Sequence, residues 1–81
     1  MKNDALTVRI LTPEGTLFEG AAEAVFLPGM KGAFEVLPGH APLISTLDRG
    51  EIVLRPEKRF PILRGVVKVL ADEITVCVEE K

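Results

Sequence analysis

The chain has few of the residues from which catalytic and metal sites are usually built. Its 81 residues include one cysteine, one histidine, no tryptophan and no tyrosine. The single Cys77 excludes an internal disulfide, and one cysteine with one histidine falls short of the ligands that a zinc site needs. We therefore expect no metal and no cofactor. With four phenylalanines as the only aromatic residues, the core must come from valine, leucine, isoleucine and alanine.

Positive charge is also in short supply, because 12 acidic residues outnumber 10 lysines and arginines and give a net charge of −2. Nucleic-acid binding needs a clustered basic surface. The nearest approach to one, residues 55–68, is interrupted by Glu57, and we interpret it as a solvated turn and strand face. Uncharged stretches stay far below the ~20 residues that span a bilayer, so we expect membrane contact only indirectly, through a partner.

Alternation of apolar and polar residues is the main positive signal, and its period of two is typical of strands with one buried face. Residues 6–11 alternate clearly, and residues 66–70 and 74–78 predict a terminal hairpin. Eight to ten short strands separated by turn residues, with no long helix, predict one all-β domain over the whole chain. Its expected architecture is a flattened sandwich or barrel of two antiparallel sheets.

Two segments are harder to assign. Residues 43–48 also suit one and a half helical turns, but their short length and the following Gly50 favour a strand. Residues 60–63 contain Pro61, which cannot donate a hydrogen bond to a neighbouring strand. We therefore expect Pro61 at a sheet edge or at a bulge.

His40 decides whether an enzyme is possible, because it is the only histidine. A pair with Cys77, or an arrangement with Ser45 and Asp48, would need these side chains within hydrogen-bond reach. No nucleophile-elbow motif surrounds the serine, and Cys77 lies in a β-branched run typical of a packed strand. The sequence therefore predicts no catalytic residues.

The segment from Leu37 to Leu43 is unusual because two prolines flank Gly39-His40-Ala41. Proline stiffens the chain and lowers the entropy cost of presenting such a loop to a partner. From the residues alone, His40 is either a surface hydrogen-bonding residue or a contact residue. A small β-module that binds a peptide or ligand is therefore an open alternative, and it would need a concave pocket or a free strand edge.

The order of these motifs, from about Leu6 to Val78, resembles the epsilon subunit of F-type ATP synthases and the mitochondrial subunit called delta. The resemblance rests on Thr12-Pro13-Glu14-Gly15, Leu17-Phe18, Gly20, Leu27-Pro28-Gly29, Gly32, Phe34, Val36-Leu37-Pro38-Gly39-His40-Ala41-Pro42-Leu43, Leu47 and Gly50.

This resemblance implies a non-catalytic subunit of the central stalk. It would couple ion-driven rotation of the c-subunit ring, through the gamma subunit, to ATP synthesis. The expected location is peripheral, at the cytoplasmic face of a bacterial plasma membrane. Family members usually continue into a C-terminal helical hairpin that inhibits ATP hydrolysis and in some bacteria binds ATP. This chain stops at Lys81 without it, so we expect neither self-inhibition nor nucleotide binding from this chain.

Carried over by position, the resemblance implies two sets of contact residues. The gamma-subunit contacts would be Thr12, His40, Ala41, Pro42 and Ser45. The c-ring contacts would be Met30, Lys31, Gly32, Ala33 and Glu35. The chain departs from the family pattern here, because Ala33 stands where glutamate is usual and Lys31 where an acid is frequent. Glu35 and Lys31 are then the charges left to pair with the ring.

Overall fold

A computed structural model describes residues 5–80, and in that range the chain forms eight strands and no helix. The strands are β1 (Leu6–Thr12), β2 (Gly15–Ala22), β3 (Ala24–Leu27), β4 (Phe34–Val36), β5 (Leu43–Leu47), β6 (Gly50–Arg55), β7 (Lys58–Leu70) and β8 (Glu73–Glu80).

The strands are hydrogen-bonded in the order β2-β1-β8-β7-β6-β3-β4, with β5 also paired to β7. The long strand β7 connects the two halves of the fold, because β6 pairs with its first residues and β5 with residues Gly65–Val69. A register shift between Ile62 and Arg64 lies between these two segments, and such bulges let a strand bend. The sheet stays open, with β2 and β4 at its ends. The fold is therefore a sandwich, and the barrel alternative is wrong.

One strand pair departs from the expected antiparallel arrangement. β1 runs parallel to β8, with Thr7 opposite Glu73 and Leu11 opposite Cys77. The other pairs are antiparallel, including the predicted terminal hairpin of β7 and β8. The ends of β1 and β8 that lie near Asp72 are thus one end of the sandwich, and those near Thr12 are the other.

Alternate residues of the strands point inward and form one aliphatic core. Among residues 5–80 no polar or charged side chain is buried, as expected for a fold held by aliphatic packing. Phe18 and Phe60 close the margin of this core, with ring centroids 5.6 Å apart. The core cluster consists of Leu6, Val8, Ile10, Ala22, Val25, Leu27, Val36, Leu47, Ile52, Leu54, Ile62, Val67, Val69, Ile74, Val76 and Val78.

The two ambiguous segments are both strands. Residues 43–47 form β5, as favoured by their length. Residues 60–63 and 66–70 belong to a single strand of 13 residues, where two short strands were expected. Pro61 pairs with Glu51 of β6 and lies just before the bulge, where pairing with β8 begins at Ile62. Its missing donor is therefore tolerated, in agreement with the prediction.

The turn between β6 and β7 carries a small network of exposed ion pairs. Glu57 accepts hydrogen bonds from Arg59 and Arg55, and Arg59 also contacts Glu51 at 3.1 Å. The hydrogen bond and the positive charge of Arg59, assisted by Arg55, lower the pKa of Glu57. The pKa of Arg59 is raised by the same carboxylates.

We expect the Glu57 network to favour the folded state at neutral pH and to lose its effect in acid. A carboxyl group whose pKa is lower in the folded than in the unfolded chain contributes stability above its ordinary pKa, near 4.3. That contribution disappears as the pH falls through the folded-state pKa. A carboxyl-detected NMR titration should place the Glu57 midpoint below the ordinary glutamate range. Arg59→Gln should raise this midpoint, whereas Lys58→Gln should not, and an unchanged midpoint in Arg59→Gln would contradict the assignment.

Candidate partner-binding surfaces

The outer face of β5, β7, β8 and β1 carries an apolar row that crosses the strands. Strand register places Thr46 opposite Val66, Val66 opposite Cys77, and Cys77 opposite Leu11. Residues directly opposite each other in a ladder share a face of the sheet. The neighbouring residues Val67 and Val76 are buried and point inward, so the outer row is not part of the core.

The apolar row forms the floor of a concave surface of about 720 Å³, which we call the apolar groove. Pro13 from the β1–β2 turn and Met30 from the β3–β4 loop extend the row on either side. Val66 is 46% exposed and Met30 61%, and Ile44 on the same face of β5 is 73% exposed. Contiguous exposed apolar surface of this kind marks a site of association with another molecule.

Charged residues border the apolar groove. Arg64 and Glu79 face each other across β7 and β8 and form an exposed ion pair of 3.2 Å. On the other side, the next cross-strand row contains Lys68, Thr75 and Arg9, with Arg9 paired to Glu19 at 3.7 Å. An apolar centre inside a polar, hydrated rim is the usual anatomy of a protein–protein interface.

The predicted c-ring contacts mostly lie together on the β3–β4 loop. This loop is held against the end of β5, because the Met30 N–H donates to Thr46 O and the Asp48 N–H donates to Pro28 O. Gly29 has no room for a side chain, since a Cβ there would lie 2.7 Å from the carbonyl oxygen of Gly32. The structure brings together the exposed residues Met30, Lys31, Gly32 and Ala33.

Glu35 is separated from this loop by its place in β4. It pairs with Phe26 of β3, which in turn pairs with Val53 of β6. Glu35 therefore lies on the outer face of the other half of the sandwich. The guanidinium of Arg55 stands over the Phe26 ring on that face, 5.3 Å from its centroid.

The predicted gamma-subunit contacts fall into two groups. Thr12 lines the apolar groove at its β1 side, and Ser45 lies in a second recess with Met30, Lys31 and Gly32. His40, Ala41 and Pro42 lie in the β4–β5 connection, at the opposite end of the sandwich, where the Gly39 N–H donates to the Asp72 carboxylate. The predicted contacts thus lie at both ends of the sandwich, and Thr12 is the one among them that lines the apolar groove.

The structure does not bring His40 to Cys77. The His40 ring bonds to the carbonyl oxygen of Ala41 at 2.7 Å, in a loop tethered to Asp72. Cys77 lies five residues further along β8 than Asp72, a rise of about 16 Å. Within residues 5–80, no three histidine, cysteine, aspartate or glutamate side chains are grouped as a metal site.

Sequence reasoning missed the central residues of the apolar groove and the hydrogen bond from the Gly39 N–H to Asp72. A usable signal was the run Val66-Val67, which breaks alternation and suggests either two covered faces or a nearby partner. The structure places Val67 in the core and leaves Val66 exposed. The opposing Leu11 and Cys77 could not be assigned to the same row without the parallel register of β1 and β8.

The fold and its surface define a small open β-sandwich with an apolar groove suited to binding another protein. The family model described as ATP synthase, Delta/Epsilon chain, beta-sandwich domain matches residues 5–81. The chain belongs to this family. No helix in the described part of the chain is long and apolar enough to cross a membrane.

Named relatives agree with this assignment. The ATP synthase epsilon chain of Synechococcus elongatus is 40% identical over 77 residues, which cover 91% of this chain and 56% of that protein. The epsilon chain of Acaryochloris marina is also 40% identical, with the same coverage. This chain therefore spans about half the length of these relatives.

Solved structures share the fold at low sequence identity. A chain in the central stalk and c-ring structure of the Tetrahymena thermophila mitochondrial ATP synthase matches 99% of this chain with a TM-score of 0.80 and 14% identity. That match covers 67% of the Tetrahymena chain. A chain of the Euglena gracilis mitochondrial ATP synthase gives a TM-score of 0.87 at 15% identity, covering 99% of this chain and 54% of its own.

Proposed function

We propose that this chain is the epsilon-type subunit domain of an F-type ATP synthase rotor and that it couples the gamma subunit to the c-subunit ring. Torque from ion-driven rotation of the ring would reach the catalytic head through this junction. The chain itself would carry out no chemistry. It would act as a peripheral component at the cytoplasmic face of a bacterial plasma membrane, in contact with the membrane only through the complex.

The observation that carries this proposal is the apolar groove in a member of the ATP synthase delta/epsilon family. A sandwich with a complete core of its own gains nothing from further exposed apolar residues unless a partner covers them. The gamma subunit is the proposed partner for this face. It would lie over the groove at Thr12, beside Ser45, and over the far loop at His40, Ala41 and Pro42.

The β3–β4 loop is the proposed contact with the c-ring, through Met30, Lys31, Gly32 and Ala33. Met30 lines the apolar groove, so the two proposed surfaces adjoin. A subunit placed where shaft and ring meet needs this adjacency. Lys31 would supply positive charge for an acidic ring loop, whereas Glu35 lies apart from this loop on β4 and would need a separate contact with the ring. Exposed pairs of this kind contribute only about 0–1 kcal/mol each, so attachment to the ring would depend on shape and on several contacts together.

The groove by itself would also suit a peptide or a small ligand, and family membership supports gamma as the proposed partner. Isothermal titration of the 81-residue chain with the gamma subunit of the same organism tests the proposal. We expect saturable one-to-one binding with a negative heat-capacity change, because apolar surface is buried.

In the same titration, His40→Ala should weaken binding about fivefold, while Lys58→Ala in the β6–β7 turn should leave it unchanged. The gamma–chain complex should also co-elute with the isolated c-ring. If a correctly folded gamma subunit failed to bind the parent chain, the proposed function would be refuted and the ligand-binding alternative would be favoured.

A further inference from the structure

The β4–β5 connection carries three of the proposed gamma contacts but has few bonds of its own. Within it, the His40 N–H donates to Leu37 O at 3.1 Å, and the His40 ring bonds to Ala41 O. Both contacts are local and do not connect the loop to another strand. In the part of the chain that the structure describes, one hydrogen bond joins residues 38–42 to a distant element, from the Gly39 N–H to Asp72 Oδ1 at 2.8 Å.

Asp72 is a firm anchor for this bond. It lies in the turn between β7 and β8, and its own carbonyl oxygen accepts a hydrogen bond of 2.9 Å from the Thr7 N–H of β1. Both turn residues have positive φ, 52° at Ala71 and 63° at Asp72. Aspartate is among the few residues other than glycine that adopt this conformation readily. The backbone of Asp72 is thus fixed by its neighbours β7 and β8 and by β1, while its carboxylate reaches the loop.

The donor side of the bond is equally specific. Gly39 has φ of 86°, a conformation that side chains other than glycine rarely adopt. The space around it is open, so the glycine is needed for the backbone direction and not to avoid a collision. This geometry turns the Gly39 N–H toward the carboxylate and places His40 immediately after the tether.

The tether also brings exposed apolar residues to the same end of the sandwich. Leu37 lies two residues before Gly39, and Leu70 two residues before Asp72, and each is 49% exposed. An ordered loop presents these side chains and His40 as one surface. A mobile loop would have to be ordered during binding, which lowers affinity.

We propose that Asp72 is a positioning residue for partner binding, because its carboxylate holds the β4–β5 connection in the conformation that the gamma subunit recognises. The inference rests on the proposed function and adds to it a residue outside the contact set. Asp72 acts through Gly39 and the adjacent His40, and its hydrogen-bond acceptor is the feature that matters.

Three variants separate the acceptor from the charge and from the turn. Asp72→Asn keeps an oxygen acceptor in the same place and tolerates positive φ. Asp72→Gly removes the acceptor but preserves the turn. Glu73→Gln removes an equivalent exposed charge next door. Amide hydrogen exchange at Gly39 reports the tether in the chain alone, and titration with the gamma subunit reports its effect on binding.

We expect Asp72→Gly to lose Gly39 protection and to bind gamma about tenfold more weakly, with an unfolding midpoint close to that of the parent. Asp72→Asn and Glu73→Gln should bind within about twofold of the parent. The inference about Asp72 would be overturned by parent-like binding of Asp72→Gly. It would also be overturned if Asp72→Asn lost as much binding as Asp72→Gly. Either result would leave the proposed function standing. Failure of the parent to bind gamma would overturn the proposed function and this inference with it.

Discussion

Val66→Glu is expected to weaken binding of the gamma subunit by at least about 100-fold. Val66 lies at the centre of the apolar groove, between Thr46 and Cys77. In the complex, a glutamate there would be removed from water without a partner for its charge, which costs several kcal/mol. In the free chain the same carboxylate remains hydrated, because position 66 is 46% exposed. Stability should therefore change by less than about 1 kcal/mol.

Val53→Glu is the matched control for this experiment. It makes the same chemical change on a half-buried position of β6, on the outer face of the other half of the sandwich. Titration calorimetry measures the affinity of each variant for gamma, and chemical unfolding measures its free energy of unfolding. Unchanged gamma affinity in a folded Val66→Glu variant would show that the apolar groove is not the gamma surface.

Gly65→Ala is expected to destabilise the fold by about 3 kcal/mol, a large share of the stability of a chain this small. Gly65 lies in β7 between Leu47 of β5 and Val78 of β8. A Cβ at this position would stand 2.6 Å from the carbonyl oxygen of Cys77 and 2.9 Å from a methyl group of Val78. A backbone oxygen within a strand ladder cannot move aside, so β7 and β8 would have to separate.

Gly20→Ala in the edge strand β2 is the comparison for Gly65→Ala. Its Cβ would meet only the far edge of the Phe18 ring, at 3.2 Å, and that ring can shift. We expect a cost below about 1 kcal/mol for Gly20→Ala in urea unfolding. If Gly65→Ala were no more destabilising than Gly20→Ala, the close approach of β7 and β8 at this point would be wrong.

The sequence was sufficient to predict the all-β class and most strands, because alternation is a local property. The terminal hairpin and the strand at residues 43–47 are confirmed. The length of β7 was not predictable, since Pro61 and the bulge after Ile62 produce the same local signals as a strand end. Whether the sheet closes into a barrel depends on pairing between strands far apart in the chain, which alternation does not encode.

The candidate surfaces were only partly predictable for the same reason. The β3–β4 loop residues Met30 to Ala33 are neighbours in sequence, and the structure keeps them together. The apolar groove joins Leu11, Val66 and Cys77, which are brought side by side by the parallel register of β1 with β8. The tether from Gly39 to Asp72 spans 33 residues and depends on the positive φ of two turn residues.

The central claim, that gamma covers the apolar groove, is tested most directly by the rate at which Cys77 reacts with a maleimide. Cys77 is the only cysteine of the chain and is exposed on the groove floor. Mass spectrometry of this chain alone reports its labelling even when gamma has thiols of its own. We predict rapid labelling of the free chain and at least tenfold slower labelling when gamma is saturating, about the minimum expected of a site closed to water. An equal rate in a complex shown to be saturated would contradict the claim.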